Sequence, residues 1–191
     1  MRRDIVWERT GPMGLEHLTL ESAADGIRAD GLIVVDLGRD VVRLRYAVWL
    51  EPGWRTLSAR ITRDRGDAPI ERRIDRIGDD RWTIDGQPRP DLDGCFDIDI
   101  QATPFTNAMP INRLGLAEGE GQRLAVVYVV MPDLAVRRAE QEYTLLAPGR
   151  LRYRGLGTDF EAEVTADADG LVIDYPPIWR RRSAHSGTSE G

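Results

Sequence analysis

A regular alternation of apolar and polar side chains constrains the fold of this chain more than any other feature of its sequence. In residues 40–50, DVVRLRYAVWL, every second side chain from Val42 to Leu50 is apolar, whereas Arg43 and Arg45 occupy intervening positions. A period of two residues is typical of a half-buried β-strand. The same period recurs at residues 54–62, 96–100, 151–154 and 160–165. The chain is therefore predicted to be mainly β.

Short turn signals separate the alternating segments, and this spacing indicates how the strands are connected. Examples are Asp30-Gly31, Pro52-Gly53, Asp85-Gly86 and Pro148-Gly149. Such dipeptides favour tight turns between antiparallel neighbours. With this many strands in 191 residues, the sequence predicts a sandwich, a barrel or a curved roll.

Two segments depart from simple alternation. Residues 124–132, LAVVYVVMP, are apolar at consecutive positions rather than at every second one, which predicts a strand that is covered on both faces. Residues 134–146 contain many good helix formers but fit neither period cleanly, and we expect a strand there.

One segment favours a helix. In residues 103–116, TPFTNAMPINRLGL, either Thr106 or Asn107 could cap the N-terminus, and Gly115 could end the helix. Pro110 keeps this predicted helix short or kinked.

The composition excludes several kinds of chemistry. There is no lysine, so a Schiff-base lysine or a P-loop lysine is excluded. Cys95 is the only cysteine, and His17 and His185 are the only histidines, which argues against a disulfide, a zinc cluster or another metal site. We therefore expect no cofactor and no metal.

Charge and hydropathy bear on partners and location. The net charge is -6, which disfavours a dominant nucleic-acid or anionic-membrane surface. No segment has the pattern of a signal peptide or a membrane helix, so a cytoplasmic location is expected. Residues 1–179 are predicted to form a single domain, and residues 180–191, RRRSAHSGTSEG, a flexible C-terminal tail.

The densest polar cluster lies between Asp91 and Arg113. Asp97 and Asp99 fall on one face of the predicted strand FDIDI, about 6.6 Å apart by the strand rise. This spacing suits an acid and base pair of a glycosidase or a divalent cation, but a solvated strand face has the same pattern. If either carboxylate is buried, Arg113 is the expected partner, and the pair is then structural.

Cys95 and the aromatic side chains offer further candidates. Cys95 could act as a nucleophile only with a base such as His17 nearby, and a small buried hydrophobe is the more ordinary role. Aromatic residues spread over many strands could line a pocket or simply fill the core. The candidates for ligand contact are Trp49, Trp54, Tyr128 and Tyr153.

The central motif resembles the signature of the glycolipid-binding family of bacterial proteins. Residues 93–100, DGCFDIDI, and 103–114, TPFTNAMPINRL, are similar to that family's G-C-x-D-V-D-L and T-P-x-T-N-T-L-P-I-R-R-L. The sequence departs from this pattern at Ala108, Met109 and Asn112. Further matching positions are Trp7, Glu16, Tyr128, Tyr153, the segment 170–176 and Trp179-Arg180.

This resemblance implies a spiral β-roll, in which a long antiparallel sheet wraps around a single short helix. It also implies a homodimer and a lipid-like or glycolipid ligand. We place the wrapped helix at residues 103–116 from the sequence pattern.

Three hypotheses of function follow. The first is a non-catalytic binding protein with an apolar cavity or groove and a polar mouth. Its ligand-binding residues would be Asp97, Asp99, Thr106, Asn107 and Arg113 at the mouth and Trp49, Trp54, Tyr128 and Tyr153 along the apolar part. The second is a hydrolase of sugars or esters that uses Asp97 and Asp99, and the third is a dimeric structural protein without a ligand.

Overall fold

A computed structural model describes residues 1–38, 40–64 and 68–187. The fold is one long sheet around a short helical segment, residues 103–113, which we call the helical insert. The strands of the described residues are β1 (Arg2–Arg9), β2 (Gly14–Ala23), β3 (Gly26–Asp36), β4 (Val41–Leu50), β5 (Thr56–Asp64), β6 (Ile70–Ile77), β7 (Arg81–Ile84), β8 (Gln87–Pro88), β9 (Asp97–Ile100), β10 (Gly121–Val130), β11 (Ala135–Ala147), β12 (Arg150–Leu156), β13 (Glu161–Ala166), β14 (Val172–Tyr175) and β15 (Trp179–Gly187). The helical elements are 3₁₀ turns at Pro90–Leu92 and Phe105–Asn107 and the helix α1 (Ala108–Arg113).

The order of strands in the sheet explains why the sheet is curved. Strands that follow each other in the chain are neighbours throughout β1 to β8 and β9 to β15, and β1 pairs with β15 to join the two series. The two edges are then β8 and β9, which are also consecutive in the chain. A connection of eight residues, 89–96, must link the two edges of a 15-stranded sheet, so the sheet has to curl upon itself.

Three hydrogen bonds mark the region where the curled sheet meets itself. The amide of Gly94 donates to the carbonyl of Asp80 at 3.0 Å, and the Trp82 indole N–H donates to the carbonyl of Cys95 at 3.0 Å. The amide of Ile98 donates to Oγ1 of Thr56 at 3.3 Å. The prediction of a mainly β protein with a long curved sheet around one short helix is confirmed.

The alternation that predicted the strands is also seen in their burial. Along β4, buried side chains from Val42 to Leu50 alternate with exposed or half-buried ones. In β10, Leu124 to Val127 are all buried, as expected for a strand that is covered on both faces. The ambiguous segment 134–146 is a strand, β11.

The helical insert lies where the sequence predicts a helix, but it begins differently. Of the two predicted caps, Asn107 occupies the N-cap position of α1, but its side chain makes no capping hydrogen bond, and Thr106 lies within the preceding 3₁₀ turn. Instead Oγ1 of Thr103 accepts a hydrogen bond from the amide of Phe105 at 2.9 Å, at the start of the 3₁₀ turn that precedes α1. This earlier start frees the side chains of Thr106 and Asn107 for other partners.

The C-terminal segment differs from its prediction. Residues 180–187 were expected to be part of a flexible tail, but they belong to β15 and pair with β1 from Arg2↔Gly187 to Glu8↔Arg180. Three consecutive arginines form ion pairs here: Arg180 with Asp174 of β14, Arg181 with Asp167 in the turn after β13, and Arg182 with Glu8 of β1. The last four residues, 188–191, lie outside the described residues.

Within the described ranges, no helix is long and apolar enough to cross a membrane.

Candidate functional site

A cavity of about 560 Å³ opens beside the helical insert. Its walls come from β10, β11 and β12, from the turn after β12, and from the turn between β14 and β15. The lining residues are Asp99, Gln101, Thr103, Asn107, Tyr128, Arg137, Arg138, Ala139, Glu140, Gln141, Tyr153, Gly155, Leu156, Gly157, Thr158, Phe160, Tyr175, Ile178 and Trp179. This volume is within the usual range for a small-molecule site.

Strand register places three of these residues in one row. Asp99 of β9 lies beside Tyr128 of β10, and Tyr128 lies beside Arg137 of β11. Residues that are paired across neighbouring strands point to the same face of a sheet. The row therefore presents a carboxyl group, a phenol and a guanidinium side by side to the cavity.

Asp99 is held by two donors. The hydroxyl of Thr106 donates to Oδ1 at 2.8 Å, and Nε2 of Gln141 donates to Oδ2. Burial raises the pKa of Asp99, and the two hydrogen bonds oppose this rise without cancelling it. The carboxyl group is thus fixed in orientation and protonates more readily than an exposed aspartate.

Asp97 has a different role. It is 1% exposed and does not line the cavity; its carboxylate accepts hydrogen bonds from Nε and Nη2 of Arg113, the last residue of α1. Burial raises the pKa of Asp97, and Arg113 opposes the rise. The guanidinium also lies 5.4 Å from the centre of the Phe96 ring. This ion pair fastens α1 to β9.

The tyrosines of the cavity have hydroxyl groups without protein partners. Within the described residues, the hydroxyls of Tyr128, Tyr153 and Tyr175 make no hydrogen bond. Burial is the main cause that raises the pKa of each, to about 12 for Tyr128 and further for Tyr153 and Tyr175. The three phenols therefore stay protonated and can donate hydrogen bonds near neutral pH.

The aromatic rings form a wall. The centre of the Tyr153 ring lies 5.2 Å from that of Tyr143, 5.9 Å from that of Phe160 and 6.0 Å from that of Tyr175. Edge-to-face arrangements at such distances are favourable for aromatic pairs. The wall offers an apolar surface next to the polar row.

Hydrogen bonds connect the helical insert at the base of the cavity to both series of strands. Nδ2 of Asn107 donates to the carbonyl of Pro104 at 3.0 Å, and its Oδ1 accepts from the hydroxyl of Tyr143 at 2.8 Å. Thr103 donates to Oε1 of Glu16 at 2.6 Å, and Tyr46 donates to the same oxygen. The insert is therefore anchored by hydrogen bonds on both sides.

The tryptophans proposed from the sequence lie elsewhere. Trp49 borders a shallow groove of about 310 Å³, where Arg28 lies 5.9 Å from its ring centre. Trp54 sits in the turn between β4 and β5 with φ of 65° and packs against the core. Neither residue lines the main cavity.

The structure thus brings together four of the nine proposed residues. Asp99, Asn107, Tyr128 and Tyr153 line the cavity, and Thr106 contacts it through Asp99. The cavity residues that sequence reasoning did not propose as ligand contacts include Arg137, Gln141, Phe160, Tyr175 and Trp179. Two signals in the sequence pointed toward them: Arg137 and Gln141 lie on one face of the predicted strand 134–146, and Tyr175 and Trp179 are among the positions that match the family.

The remaining chemical candidates are inactive in this geometry. Cys95 is buried, and burial raises the pKa of its thiol to about 11, which disfavours a thiolate nucleophile. His17 is exposed on β2 and interacts with Asp4, at 3.4 Å, away from Cys95. Among the residues that the structure describes, no group of three His, Cys, Asp or Glu side chains could hold a metal ion.

Comparisons with known proteins agree on one relationship. The model of the family described as "Putative glycolipid-binding" matches residues 4–181. A solved structure of a DUF1089 family protein from Pseudomonas aeruginosa is 31% identical, with a TM-score of 0.80, over 88% of this chain and 92% of that one. No curated protein matches the chain.

Proposed function

Since the chain belongs to the family described as glycolipid-binding, we propose that it binds an amphipathic ligand in the cavity beside the helical insert and does not transform it. The hydroxylated head group of the ligand would occupy the polar row, and its apolar part would follow the aromatic wall. The observation that carries this proposal is the set of three unpartnered tyrosine hydroxyls around Asp99 in one open cavity.

The chemistry of the lining supports a ligand with both hydroxyl and apolar groups. Buried polar groups in proteins are normally paired, and here the available donors are left for a ligand or for water. Tyrosine can stack its ring on the apolar side of a sugar while its hydroxyl bonds a polar group. In this proposal Asp99, Asn107, Tyr128, Tyr153 and Tyr175 contact the ligand.

The other predicted site residues have supporting roles in this proposal. Thr106 orients Asp99, and the pair of Asp97 and Arg113 holds the insert against β9. Trp49 and Trp54 lie outside the cavity, so we assign them no contact with the ligand.

Binding is better supported than hydrolysis. Glycoside hydrolysis uses two carboxyl groups on either side of the scissile bond. Of the two aspartates that suggested it, Asp97 is engaged with Arg113 and only Asp99 lines the cavity, with both of its oxygens accepting hydrogen bonds. The arrangement suits recognition of a head group.

Calorimetric titration with dodecyl maltoside tests the proposal. We expect saturable binding to the wild-type protein, recovery of the maltoside intact, and a loss of roughly tenfold or more in affinity in the double variant Tyr153→Phe/Tyr175→Phe, since two hydrogen bonds are removed. Trp49→Phe is the matched control, because it changes an aromatic ring outside the cavity, and its affinity should match the wild type. Equal affinity of the double variant and the wild type would contradict the proposal.

The homodimer and the cytoplasmic location remain predictions from the sequence and the family resemblance, as does the absence of a nucleic-acid partner. Sedimentation equilibrium at several concentrations checks the dimer. A mass of about 43 kDa, twice the 21.5 kDa of the chain, is expected.

A further inference from the structure

Arg137 is the starting point, because it is a charged group on the cavity lining with no acidic partner. Its side chain is exposed, and its guanidinium lies 5.2 Å from the centre of the Tyr128 ring, directly across the ladder. Within the described residues it makes no ion pair. Such a cation–π contact is individually weak and does not neutralise the charge of the guanidinium.

The neighbouring Arg138, by contrast, has hydrogen-bond partners for its guanidinium. Nε of Arg138 donates to Oε1 of Glu140 at 2.9 Å, and its Nη1 donates to the carbonyl of Asp93 at 2.8 Å. The charges of Arg138 and Glu140 therefore offset each other on the lining. Arg137 has no such partner, although most arginines of the chain pair with a carboxylate.

Asp99 does not serve as the missing counter-ion. Its two oxygens already accept hydrogen bonds from Thr106 and Gln141, and Tyr128 stands between it and Arg137 in the row. Within the described residues, Arg137 therefore carries a positive charge on the cavity lining that no carboxylate contacts.

Four side chains of the cavity lining keep hydrogen-bond donors that have no partner in the protein. Arg137 offers guanidinium N–H groups, and Tyr128, Tyr153 and Tyr175 each offer an O–H. Each acceptor oxygen of Asp99 and the Oδ1 of Asn107 already accepts one hydrogen bond. The hydroxyls of a neutral sugar can pair with the phenols but bring no charge to pair with the guanidinium, whereas an oxyanion accepts hydrogen bonds from both kinds of donor and carries the opposite charge.

From this unpaired guanidinium beside the tyrosine hydroxyls we propose that the cavity selects ligands with an oxyanion, a phosphate or carboxylate group, bound by Arg137 and by the hydroxyls of the cavity tyrosines. The inference rests on the proposed function and narrows it to anionic amphiphiles. Arg137 would form a charge-assisted hydrogen bond with the oxyanion of the ligand. Tyr128, which lies directly beside Arg137, would donate a hydrogen bond to the same oxyanion.

Calorimetric titration with three probes tests the inference. Dodecyl phosphate carries the anion and the chain, dodecyl maltoside carries the chain with a neutral sugar, and glucose 6-phosphate carries the anion without the chain. For the wild type we expect dodecyl phosphate to bind at least about tenfold more tightly than dodecyl maltoside, the factor typical of one charge-assisted bond. That preference should weaken as salt is added.

The variants assign the preference to one side chain. Arg137→Ala should lose roughly ten- to a hundredfold in affinity for dodecyl phosphate, and its affinity for dodecyl maltoside should stay within about twofold. Arg137→Lys should recover part of the loss, because it keeps the charge without the planar fork. Arg123→Ala is the matched control, since Arg123 is an exposed arginine of β10 that pairs with Glu142 at 3.0 Å, away from the cavity.

The outcomes separate this inference from the proposed function. If dodecyl maltoside binds and dodecyl phosphate binds no better, or if Arg137→Ala keeps the preference, the inference is overturned and the proposed function stands. If neither amphiphile binds, both are overturned. If glucose 6-phosphate binds as tightly as dodecyl phosphate, the oxyanion inference stands and the amphipathic part of the proposed function fails.

Discussion

Glu16 places a carboxyl group in the protein interior, with no exposed surface. Oε1 accepts hydrogen bonds from Tyr46 and Thr103, whereas Oε2 has no partner within the described residues. Gly31, directly across the ladder from Tyr46, leaves the space for the tyrosine ring, since a Cβ there would lie 2.1 Å from it. Burial raises the pKa of Glu16 to about 8, against the two hydrogen bonds. One side chain thus makes the link between β2, β4 and the insert dependent on pH.

Replacement of Glu16 by Gln should change how stability depends on pH. The folded protein keeps the proton of Glu16 up to a pKa of about 8, whereas an ordinary glutamate has a pKa of 4.5. The folded state therefore binds more protons in this window, and the wild type should lose about 1.4 kcal/mol for each pH unit across it. Glu16→Gln lacks this loss, so its free energy of unfolding should exceed that of the wild type increasingly as pH rises to 8.

Urea unfolding at pH 5, 6, 7 and 8 measures this difference. Glu118→Gln is the control, because Glu118 is exposed in the loop before β10. Since Asp97 and Asp99 are present in both proteins, their own pH dependence cancels in the comparison. A difference between Glu16→Gln and the wild type that is constant with pH would refute a buried, proton-linked Glu16.

At the scale of elements, the helical insert shows what local sequence can predict. Residues 103–116 carry both the helix formers and Pro110, so a short helix there was predictable. Its N-terminal cap was not, because Thr103, Thr106 and Asn107 are all suitable cap residues and only the tertiary contacts choose among them. The same holds for β9: its alternating aspartates also fit a solvated face, but Asp97 is 1% exposed and pairs with Arg113 of the insert, and Asp99 accepts a hydrogen bond from Thr106.

Arg113→Ala should detach the insert from β9. Asp97 is 1% exposed, and without Arg113 its carboxylate would remain buried without a cationic partner in contact. Breaking a buried pair in this way typically costs about 3 to 5 kcal/mol in the free energy of unfolding. Because burial raises the pKa of Asp97, the lone carboxyl gains a proton more readily as pH falls, and the loss should be smaller at pH 5 than at pH 7.

Urea denaturation at pH 5 and pH 7 checks this prediction. The double variant Asp97→Asn/Arg113→Met removes both charges, and we expect it to be more stable than Arg113→Ala alone. A loss of less than about 1 kcal/mol in Arg113→Ala, a size typical of exposed pairs, would mean that the pair does not hold the insert.

At the scale of the whole molecule, the roll depends on contacts between distant parts of the chain. The mainly β class was predictable because the alternation of apolar and polar side chains is a local feature of the sequence. The curved roll was predictable from the resemblance to the family. The pairing of β1 with β15 was not, since Arg180 to Gly187 read as a polar tail. The cavity was partly predictable: Tyr128 and Tyr153 lie in clear strands, whereas Arg137 and Tyr175 reach it only through the register of several strands.

Deletion of residues 180–191 should therefore unfold or aggregate the protein. It removes the ladder to β1 and the ion pair between Arg181 and Asp167, and it exposes β1 as an unpaired edge. Losing a strand from inside a sheet should cost on the order of 5 kcal/mol, which is comparable to the total stability of a small domain. Thermal unfolding and solubility measure the effect, with deletion of residues 188–191 as the control. A truncated protein that is soluble and melts like the control would contradict the account of the fold.

The central claim is that the cavity beside the insert holds an amphipathic ligand with an anionic head group. Native mass spectrometry of the protein purified from its own host, followed by solvent extraction of whatever it releases, tests this claim most directly. We predict one bound amphiphile with a phosphate or carboxylate group per chain, and its loss from a protein that carries Arg137→Ala together with Tyr153→Phe. A wild-type protein that is empty, or one whose bound molecule is retained equally by that variant, would contradict the account.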